Sequence, residues 1–152
     1  MIDAAQFEEF VLLVEPRLRR ALIGAVGVDR VEDAVAEALA YAFEHWDEVS
    51  AMTNPAGYLF RVGQSRSRRR RRPQLVRPVP DGIPDVEPAL VDALHSLSDS
   101  QRIAVWLAHG CSWSHAEIGE VLGVSTSTVA THVHRGLDRL RSEMGVAHDA
   151  QR

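Results

Sequence analysis

The chain has 152 residues, of which 45% are hydrophobic and 25% are charged, a composition that suits a folded globular protein and not a disordered one. Its first residues, MIDAAQFEEF, lack the basic start and apolar run of a secretory signal, and its apolar stretches fall far short of the roughly 20 residues of a membrane span. We therefore expect a cytoplasmic protein without membrane insertion. Cys111 is the single cysteine, which excludes an internal disulfide and a cysteine-based metal cluster.

The formal net charge of −4 argues by itself against nucleic-acid binding, but the charges are unevenly distributed along the chain. Residues 1–72 contain 11 Arg and 11 Asp or Glu, so their charges balance. Residues 73–152 contain 6 Arg and 10 Asp or Glu and therefore carry the whole deficit. The position of each basic cluster in the chain is therefore more informative about nucleic-acid binding than the net charge.

The first two predicted helices are amphipathic, with apolar residues at steps of three and four. The first stripe consists of Phe7, Phe10, Val11, Val14, Leu18, Ala21, Leu22 and Ala25, and the second of Val31, Val35, Ala38, Leu39, Ala42, Phe43 and Trp46. Pro16 is expected to kink or split the first helix because proline removes an intrahelical hydrogen bond. Gly24 and Gly27 are expected to end it. Asp29 is predicted to cap the second helix, with Glu32 as the returning half of a capping box.

A third helix is predicted after a loop at residues 47–53, because Asn54-Pro55 combines a cap with a proline at the first helical position. Its apolar face consists of Tyr58, Leu59 and Val62, and it runs through Arg66 into an arginine block at residues 68–72. Residues 73–88 contain five prolines and no periodic apolar pattern, which indicates a linker. We expect an all-α protein with domains at residues 1–72 and 89–145 and a tail at residues 146–152.

Four helices are predicted in the second domain, each bounded by capping or stop residues. Those signals are Ser98 with Gln101, Gly110, Ser114 with Glu117, Gly123, and Ser125, and the last helix has the stripe Val129, Val133, Leu137, Leu140 and Met144. Residues 114–141 thus form a short capped helix, a glycine turn and a longer helix, the order of a helix-turn-helix. Short polar groups at the start of the longer helix can reach base edges and phosphates. A plain helical hairpin with serine-rich caps is the alternative.

Several separate segments together resemble the group IV sigma factors, those of the extracytoplasmic-function type, along nearly the whole chain except the linker and the tail. The letters PRL at residues 16–18 and EDAV at residues 32–35, leading to Phe43 and Trp46, resemble the first two helices of the family's second region. The letters NPAGYLFRV at residues 54–62 resemble its stretch around the minus-ten element. Residues 114–141 resemble its fourth region, which reads the minus-thirty-five element.

The resemblance implies an alternative sigma factor, which directs core RNA polymerase to specific promoters and assists their melting. The residues that would bind polymerase, at its β′ clamp helices, are Asp33, Glu37 and Trp46. Those that would bind the minus-ten DNA are Asn54, Tyr58, Arg61, Arg66, Arg68 and Arg69, and the loop at residues 47–53 would hold a flipped base. Those that would bind the minus-thirty-five DNA are Ser125, Thr126, Ser127, Thr128, Thr131, His132, Arg135 and Arg139. Further implied partners are the polymerase β flap and an anti-sigma factor, with which the family commonly pairs.

Three positions depart from the family pattern. Ala36 stands where the family commonly has glutamine, and Ala130 and His132 stand where the recognition helix commonly has Lys or Arg. We therefore expect the second domain to bind promoter DNA measurably only when it is tethered to polymerase, where the effective concentration is high. Two alternatives stay open: a dimeric helix-turn-helix regulator that reads paired half-sites, and a degenerate sigma-like protein that only binds a partner.

An enzyme is not expected, nor a cofactor, a metal or a small-molecule substrate. His115, Glu117, His132 and His134 are the nearest approach to a metal site, but His132 and His134 are two residues apart and point to different faces of a helix. The chain has no HExxH spacing, no glycine-rich phosphate loop and no GxSxG motif. These residues therefore give no basis for predicting a reaction.

Overall fold

The computed structural model describes residues 2–69 and 88–145, and the chain consists of two compact units, residues 1–77 and 78–152. Every regular element within those described ranges is a helix, which confirms the all-α prediction. None of these helices has the length and apolar character needed to cross a bilayer. The predicted linker up to residue 87, the arginines at positions 70–72 and the predicted tail lie outside the described residues.

The first unit is, in its described part, a bundle of three helices with a short fourth one. The helices are α1 (Ala4–Val26), α2 (Val28–Glu44), α3 (Trp46–Ser50) and α4 (Pro55–Arg69). Helices α1, α2 and α4 pack against one another in all three pairs. Their core consists of Val14, Leu18, Ala21, Leu22, Val31, Ala34, Val35, Ala38, Ala42, Ala56, Leu59 and Phe60. The predicted stripes of α1 and α2 are thus buried in their middle parts, whereas Phe43 at the end of α2 is 52% exposed.

Helix α1 is continuous through Pro16, so the predicted split is not found. Proline at this position leaves the carbonyl group of Leu12 without its helical donor. Pro16 is exposed, and the side chains of Leu12 and Leu13 are 72% and 74% exposed, so water can reach this turn of the helix. Because the lost hydrogen bond lies on the solvent side, the helix continues past the proline.

The junction between α1 and α2 is a single residue, Gly27, and the predicted cap at Asp29 is wrong. Gly27 has φ of 82°, in the region that favours glycine, and its N–H donates to the carbonyl of Ile23. Gly24 lies inside α1, and α2 already begins at Val28 without a side-chain cap. Glu32 does not return to a cap but forms an ion pair with Arg19, which also binds Glu15.

The segment between α2 and α4 is not the loop that was predicted, because residues 46–50 form α3. Val49 is fully buried and anchors this short helix to the bundle. The predicted start of α4 at Asn54-Pro55 is confirmed. The Oδ1 atom of Asn54 accepts a hydrogen bond of 3.1 Å from the backbone N–H of Gly57.

Helix α4 approaches the other two helices closely and buries a wider face than predicted. A Cβ atom at Gly63 would lie 3.0 Å from the carbonyl oxygen of Ala34 on α2 and 3.1 Å from the side chain of Leu22 on α1. Leu59 and Phe60 are both completely buried, whereas the predicted core positions Tyr58 and Val62 are only half-buried. Because α4 packs against both α1 and α2, the adjacent residues Leu59 and Phe60 can both face the core.

The second unit has, in residues 88–145, the four helices that were predicted. They are α5 (Pro88–Ser96), α6 (Asp99–Val105) with a π-helical continuation at Trp106–Gly110, α7 (His115–Leu122) and α8 (Thr126–Glu143). One apolar cluster joins α5, α6 and α8 and consists of Ala93, Leu97, Val105 and Leu140, with Leu94, Leu137 and Met144 at its margin. At Gly136 a Cβ atom would lie 2.6 Å from Val105, so α8 crosses α6 at close range.

The predicted capping boxes of α6 and α7 have different outcomes. Ser114 and Glu117 form both reciprocal hydrogen bonds of a capping box, at 3.1 and 2.9 Å. Ser98 caps α6 by accepting from the N–H of Gln101 at 3.2 Å, but the Oε1 atom of Gln101 is buried without a hydrogen bond. The box at α7 is therefore complete, and the box at α6 lacks its returning half.

Candidate nucleic-acid interface

Helices α7 and α8 form a tight helix-turn-helix. Gly123 ends α7 in the left-handed conformation with φ of 68°, which glycine adopts without a Cβ clash. The N–H of Val124 then donates to the carbonyl oxygen of Gly119 at 3.0 Å. A Cβ atom at Gly119 would lie 2.7 Å from the carbonyl oxygen of Val124. The backbone of α7 therefore packs against the turn without space for a side chain at this position. The orientation of α8 relative to α7 therefore depends on glycine at position 119.

The first turn of α8 is a network of hydroxyl groups. Ser125 caps the helix by accepting from the N–H of Thr128 at 3.2 Å, and its hydroxyl also lies 3.0 Å from the hydroxyls of Ser127 and Thr128. The hydroxyl of Thr131 donates to the carbonyl oxygen of Ser127 at 3.1 Å. Ser125, Ser127 and Thr131 remain exposed, as does Thr126. Ser125, Ser127 and Thr131 are thus held by local hydrogen bonds and still face solvent.

The predicted minus-thirty-five residues all lie on α8 or its cap, but their exposure differs. Thr128 and His132 are half-buried, whereas Arg135 and Arg139 are exposed. Asp138 lies 3.3 Å from Nε2 of His134 and 3.4 Å from Arg141, so an acidic group occupies the same part of the helix. Ala130 is exposed as well. The DNA contacts themselves stay predictions.

In the first unit, polar side chains of α2, of its C-cap and of α4 form what we call the α2–α4 seam. Its members are Glu37 and Tyr41 on α2, His45 at the C-cap of α2, and Tyr58 and Arg66 on α4. Glu37 forms an ion pair of 3.1 Å with Arg66. The hydroxyls of Tyr41 and Tyr58 lie 3.0 Å apart. The guanidinium carbon of Arg66 lies 5.3 Å from the centre of the Tyr41 ring, and the ring of His45 stacks on the same tyrosine at 4.0 Å. One tyrosine thus contacts three other members of the seam.

The hydrogen bond with Tyr58 raises the pKa of Tyr41, and burial of the phenol acts in the same direction, while Arg66 opposes both. A raised pKa means that folding favours the neutral phenol. The associated stabilisation is complete below the ordinary tyrosine pKa of about 10, and it is lost as pH rises through the raised value. Tyr41 is therefore neutral at physiological pH and keeps its proton for hydrogen bonding.

Replacing Tyr58 with phenylalanine is expected to lower the pKa of Tyr41 toward its ordinary value, because the hydrogen bond is the largest cause of the shift. Tyr41 and Tyr58 are the two tyrosines of the chain, so the variant retains a single phenol. Tyrosine-labelled NMR would give its midpoint in both proteins, with circular dichroism as a control for alkaline unfolding. An unchanged midpoint would contradict the hydrogen bond.

Of the residues predicted to bind minus-ten DNA, five lie on α4 and Asn54 directly precedes this helix. Arg61 and Arg68 are exposed, Tyr58 and Arg66 are half-buried in the α2–α4 seam, and the side chain of Arg69 lies outside the described residues. Asn54 is half-buried and its Nδ2 atom is buried without a hydrogen bond, while its Oδ1 atom caps the helix. The structure thus gives Asn54 a capping role, and a DNA contact by this residue stays a prediction.

The residues predicted to bind polymerase lie in different surroundings. Asp33 is exposed on α2, but Glu37 was expected to be exposed and is half-buried against Arg66. Trp46 packs edge-on against Phe7 and Phe10, with ring centres 5.5 and 5.2 Å apart. The sequence did not single out Tyr41 and His45. Tyr41 follows Glu37 by four residues and His45 follows Tyr41 by four, a spacing that predicts one shared helix face and was the available signal.

A helix-turn-helix among the helices of residues 2–69 and 88–145 is typical of DNA-binding transcription proteins. Residues 88–140 match the family model of sigma-70, region 4. The chain is 31% identical over 93% of its length to the RNA polymerase sigma-E factor of Streptomyces antibioticus, and the match covers 86% of that protein. It is 30% identical over 98% of its length to the RNA polymerase sigma-E factor of Streptomyces coelicolor, covering 91% of that protein.

Solved structures agree with these relatives. The fold matches the sigma factor RpoE, solved as a co-crystal with the anti-sigma factor NepR from Bartonella quintana, with a TM-score of 0.73 and 25% identity. The match covers 94% of this chain and 99% of that one. The protein belongs to the RNA polymerase sigma factors of the extracytoplasmic-function type, and the resemblance of its motifs to that family is confirmed.

Proposed function

We propose that this protein is an alternative sigma factor whose two units have separate tasks in transcription initiation. The first unit binds core polymerase and the minus-ten element, and the second reads the minus-thirty-five element. The observation that carries the proposal is the helix-turn-helix of α7 and α8, whose second helix presents exposed hydroxyl and guanidinium groups. The protein performs no chemistry of its own and acts where polymerase and chromosomal DNA are, in the cytoplasm.

The second unit would place α8 in the major groove of promoter DNA. Its N-terminal hydroxyls, with the positive end of the helix dipole, suit base edges and nearby phosphates. Arg135 and Arg139 lie about three and about four turns from the cap at Ser125 and suit phosphate contacts. With exposed Ala130 in place of a basic residue, this helix makes few ionic contacts, so tethering to polymerase is what makes it effective.

The first unit would use α4 for DNA and α2 for polymerase. Exposed Arg61 and Arg68 supply positive charge for the DNA backbone, and their contribution should weaken as salt rises. Asp33 is an exposed carboxylate on α2 that suits the β′ clamp helices. The related RpoE was solved with an anti-sigma factor. We expect an inhibitor of that kind to cover the same polymerase-facing surface of this chain.

Reconstituted transcription tests this proposal. Purified protein would be added to bacterial core polymerase on fragmented genomic DNA, and the 5′ ends of the transcripts would be sequenced. New start sites that share two upstream boxes are the expected result. Stable core binding without new start sites would instead favour a partner-binding protein, the alternative that Ala36, Ala130 and His132 keep open.

Arg135→Ala is expected to lower initiation at those sites about five- to tenfold, in line with the roughly 1–3 kcal/mol of a DNA-contacting arginine. Arg141→Ala is the matched control, because Arg141 is exposed on the same helix, lies near its C-terminal end and pairs with Asp138. Equal activity of the two variants would count against the assigned role of α8. A dimer that binds paired half-sites without polymerase would point to a stand-alone regulator.

A further inference from the structure

We propose that Tyr41 is a positioning residue for the minus-ten interaction: from α2, it fixes the two side chains of α4, Tyr58 and Arg66, that face the DNA. This inference rests on the proposed function of the first unit. Tyr41 lies on α2, the helix proposed to bind polymerase, and is not among the predicted DNA contacts. It acts through two of those contacts, Tyr58 and Arg66. Tyr41 itself need not touch DNA.

The α2–α4 seam consists of two matching rows of residues. Glu37 and Tyr41 are four residues apart on α2, and His45 follows four residues later at the C-cap of that helix. Tyr58 and Arg66 are eight residues apart on α4. Residues at these spacings share one helix face. Glu37 meets Arg66 and Tyr41 meets Tyr58, so the rows run in opposite directions. Tyr41 is at the middle of the seam, between the ion pair and the tyrosine of α4.

The first link is the hydrogen bond between the two phenols. Their oxygens lie 3.0 Å apart, and the rings are tilted by 47° with centres 5.9 Å apart. Tyr58 is half-buried, so its ring has open space on one side. A phenol can donate one hydrogen bond and still accept others, so a bond to Tyr41 fixes the ring without exhausting its hydroxyl. Tyr58 keeps a polar edge for a base or phosphate.

The second link is between Arg66 and the tyrosine ring. The guanidinium carbon lies 5.3 Å from the ring centre, within the range of a cation–π contact, while Glu37 binds Nη1. Guanidinium has five N–H donors, and these two contacts leave some of them for a phosphate. The His45 ring, stacked at 4.0 Å with 13° between the planes, holds the tyrosine ring that Arg66 lies over.

The bundle does not depend on Tyr41 for its core. Tyr41 is half-buried, whereas α2 and α4 contribute fully buried residues such as Ala38, Ala42 and Phe60 to the core. Removing the hydroxyl of Tyr41 should therefore leave the fold intact. The side chains of Tyr58 and Arg66 should instead become less well ordered, and the capture of unpaired minus-ten DNA should weaken as a result.

A double-mutant cycle on the hydroxyl pair tests the proposal in holoenzyme, at a start site recovered by reconstituted transcription. The readout is permanganate reactivity of thymines in the minus-ten box, together with the affinity for core polymerase. Tyr41→Phe is expected to lower open-complex formation about three- to tenfold, as one lost hydrogen bond allows, with unchanged core affinity. In a Tyr58→Phe background the same change should have no further effect, because its target is already absent.

Tyr41→Leu, which also removes the ring beneath Arg66, should lower open-complex formation more than Tyr41→Phe. Ala40→Ser serves as the control, since it adds a hydroxyl at a neighbouring exposed position of α2 outside the seam. Wild-type activity in Tyr41→Phe would overturn the proposal, and so would an equal loss in the Tyr58→Phe background or a parallel loss of core affinity. If the wild-type protein opens no promoter at all, the proposed function fails first and this inference fails with it.

Discussion

Replacing Phe60 with alanine is expected to destabilise the first unit by about 3–5 kcal/mol, most of what a domain of this size has available. Phe60 is the largest side chain of the described residues that is completely buried. It lies on α4, which packs against both α1 and α2. Truncation leaves a cavity that cannot collapse easily, because Gly63 on the same helix already lies close to Ala34 and Leu22. The bundle should therefore be largely unfolded under mild denaturant.

The matched control is Phe43→Ala, which makes the same chemical change at a position that is 52% exposed. Phe43 contacts Phe7 edge-on at 5.2 Å, so its loss should cost only about 1 kcal/mol. Hydrogen exchange followed by peptide mapping reports on residues 4–69 and 88–143 separately. Fast exchange in the first range alone is expected for Phe60→Ala. Similar protection in both phenylalanine variants would show that Phe60 is not the anchor of this bundle.

The helix-turn-helix could be predicted from sequence because its signals are local. Ser114 and Glu117 are three residues apart, and both bonds of their capping box are formed. Gly123 and Ser125 then end one helix and start the next within three positions. Each of these signals acts within a single helical turn, so no knowledge of the tertiary structure is needed to read it.

The errors in the first unit have non-local causes. Glu32 follows Asp29 at capping-box spacing, yet its carboxylate binds Arg19 of the preceding helix. Phe60 was omitted from the predicted apolar face of α4 because that face was predicted for packing against one helix. Helix α4 packs against both α1 and α2, so its buried face is wider and includes Phe60. Pro16 was expected to interrupt α1, but its outcome depends on which side of the helix faces water.

The α2–α4 seam was beyond the reach of the sequence for a related reason. Glu37 and Arg66 were each predicted as contact residues, one for polymerase and one for DNA. They are 29 positions apart in the sequence. Their ion pair depends on the position of α2 along the axis of α4. The periodicity of apolar residues identifies the buried face of each helix, but it does not show which residues of α2 lie opposite which residues of α4. The same limit applies to Tyr41, whose role depends on two residues of another helix.

Replacing Gly119 with alanine is expected to disable the helix-turn-helix, although helix propensity alone predicts the opposite. Alanine is about 1 kcal/mol more favourable than glycine inside a helix, and Gly119 is inside α7. Its Cβ atom would however lie 2.7 Å from the carbonyl oxygen of Val124, a backbone atom that cannot rotate away. The turn must shift, at a cost of about 1–3 kcal/mol, and α8 moves with it. Initiation at promoters with a minus-thirty-five box should fall about tenfold or more, since a misplaced recognition helix loses several contacts together.

Gly123→Ala separates backbone strain from this steric effect. At Gly123 a Cβ atom would meet nothing within 4 Å, so alanine there costs only the left-handed conformation, about 1–2 kcal/mol. The two variants should thus lose similar stability in thermal unfolding, yet only Gly119→Ala should lose initiation. On a template with a scrambled minus-thirty-five box, Gly119→Ala and the wild-type protein should initiate equally, because α8 then has nothing to read. A defect of the same size on both templates would mean that the substitution acts through folding or core binding and not through the placement of α8.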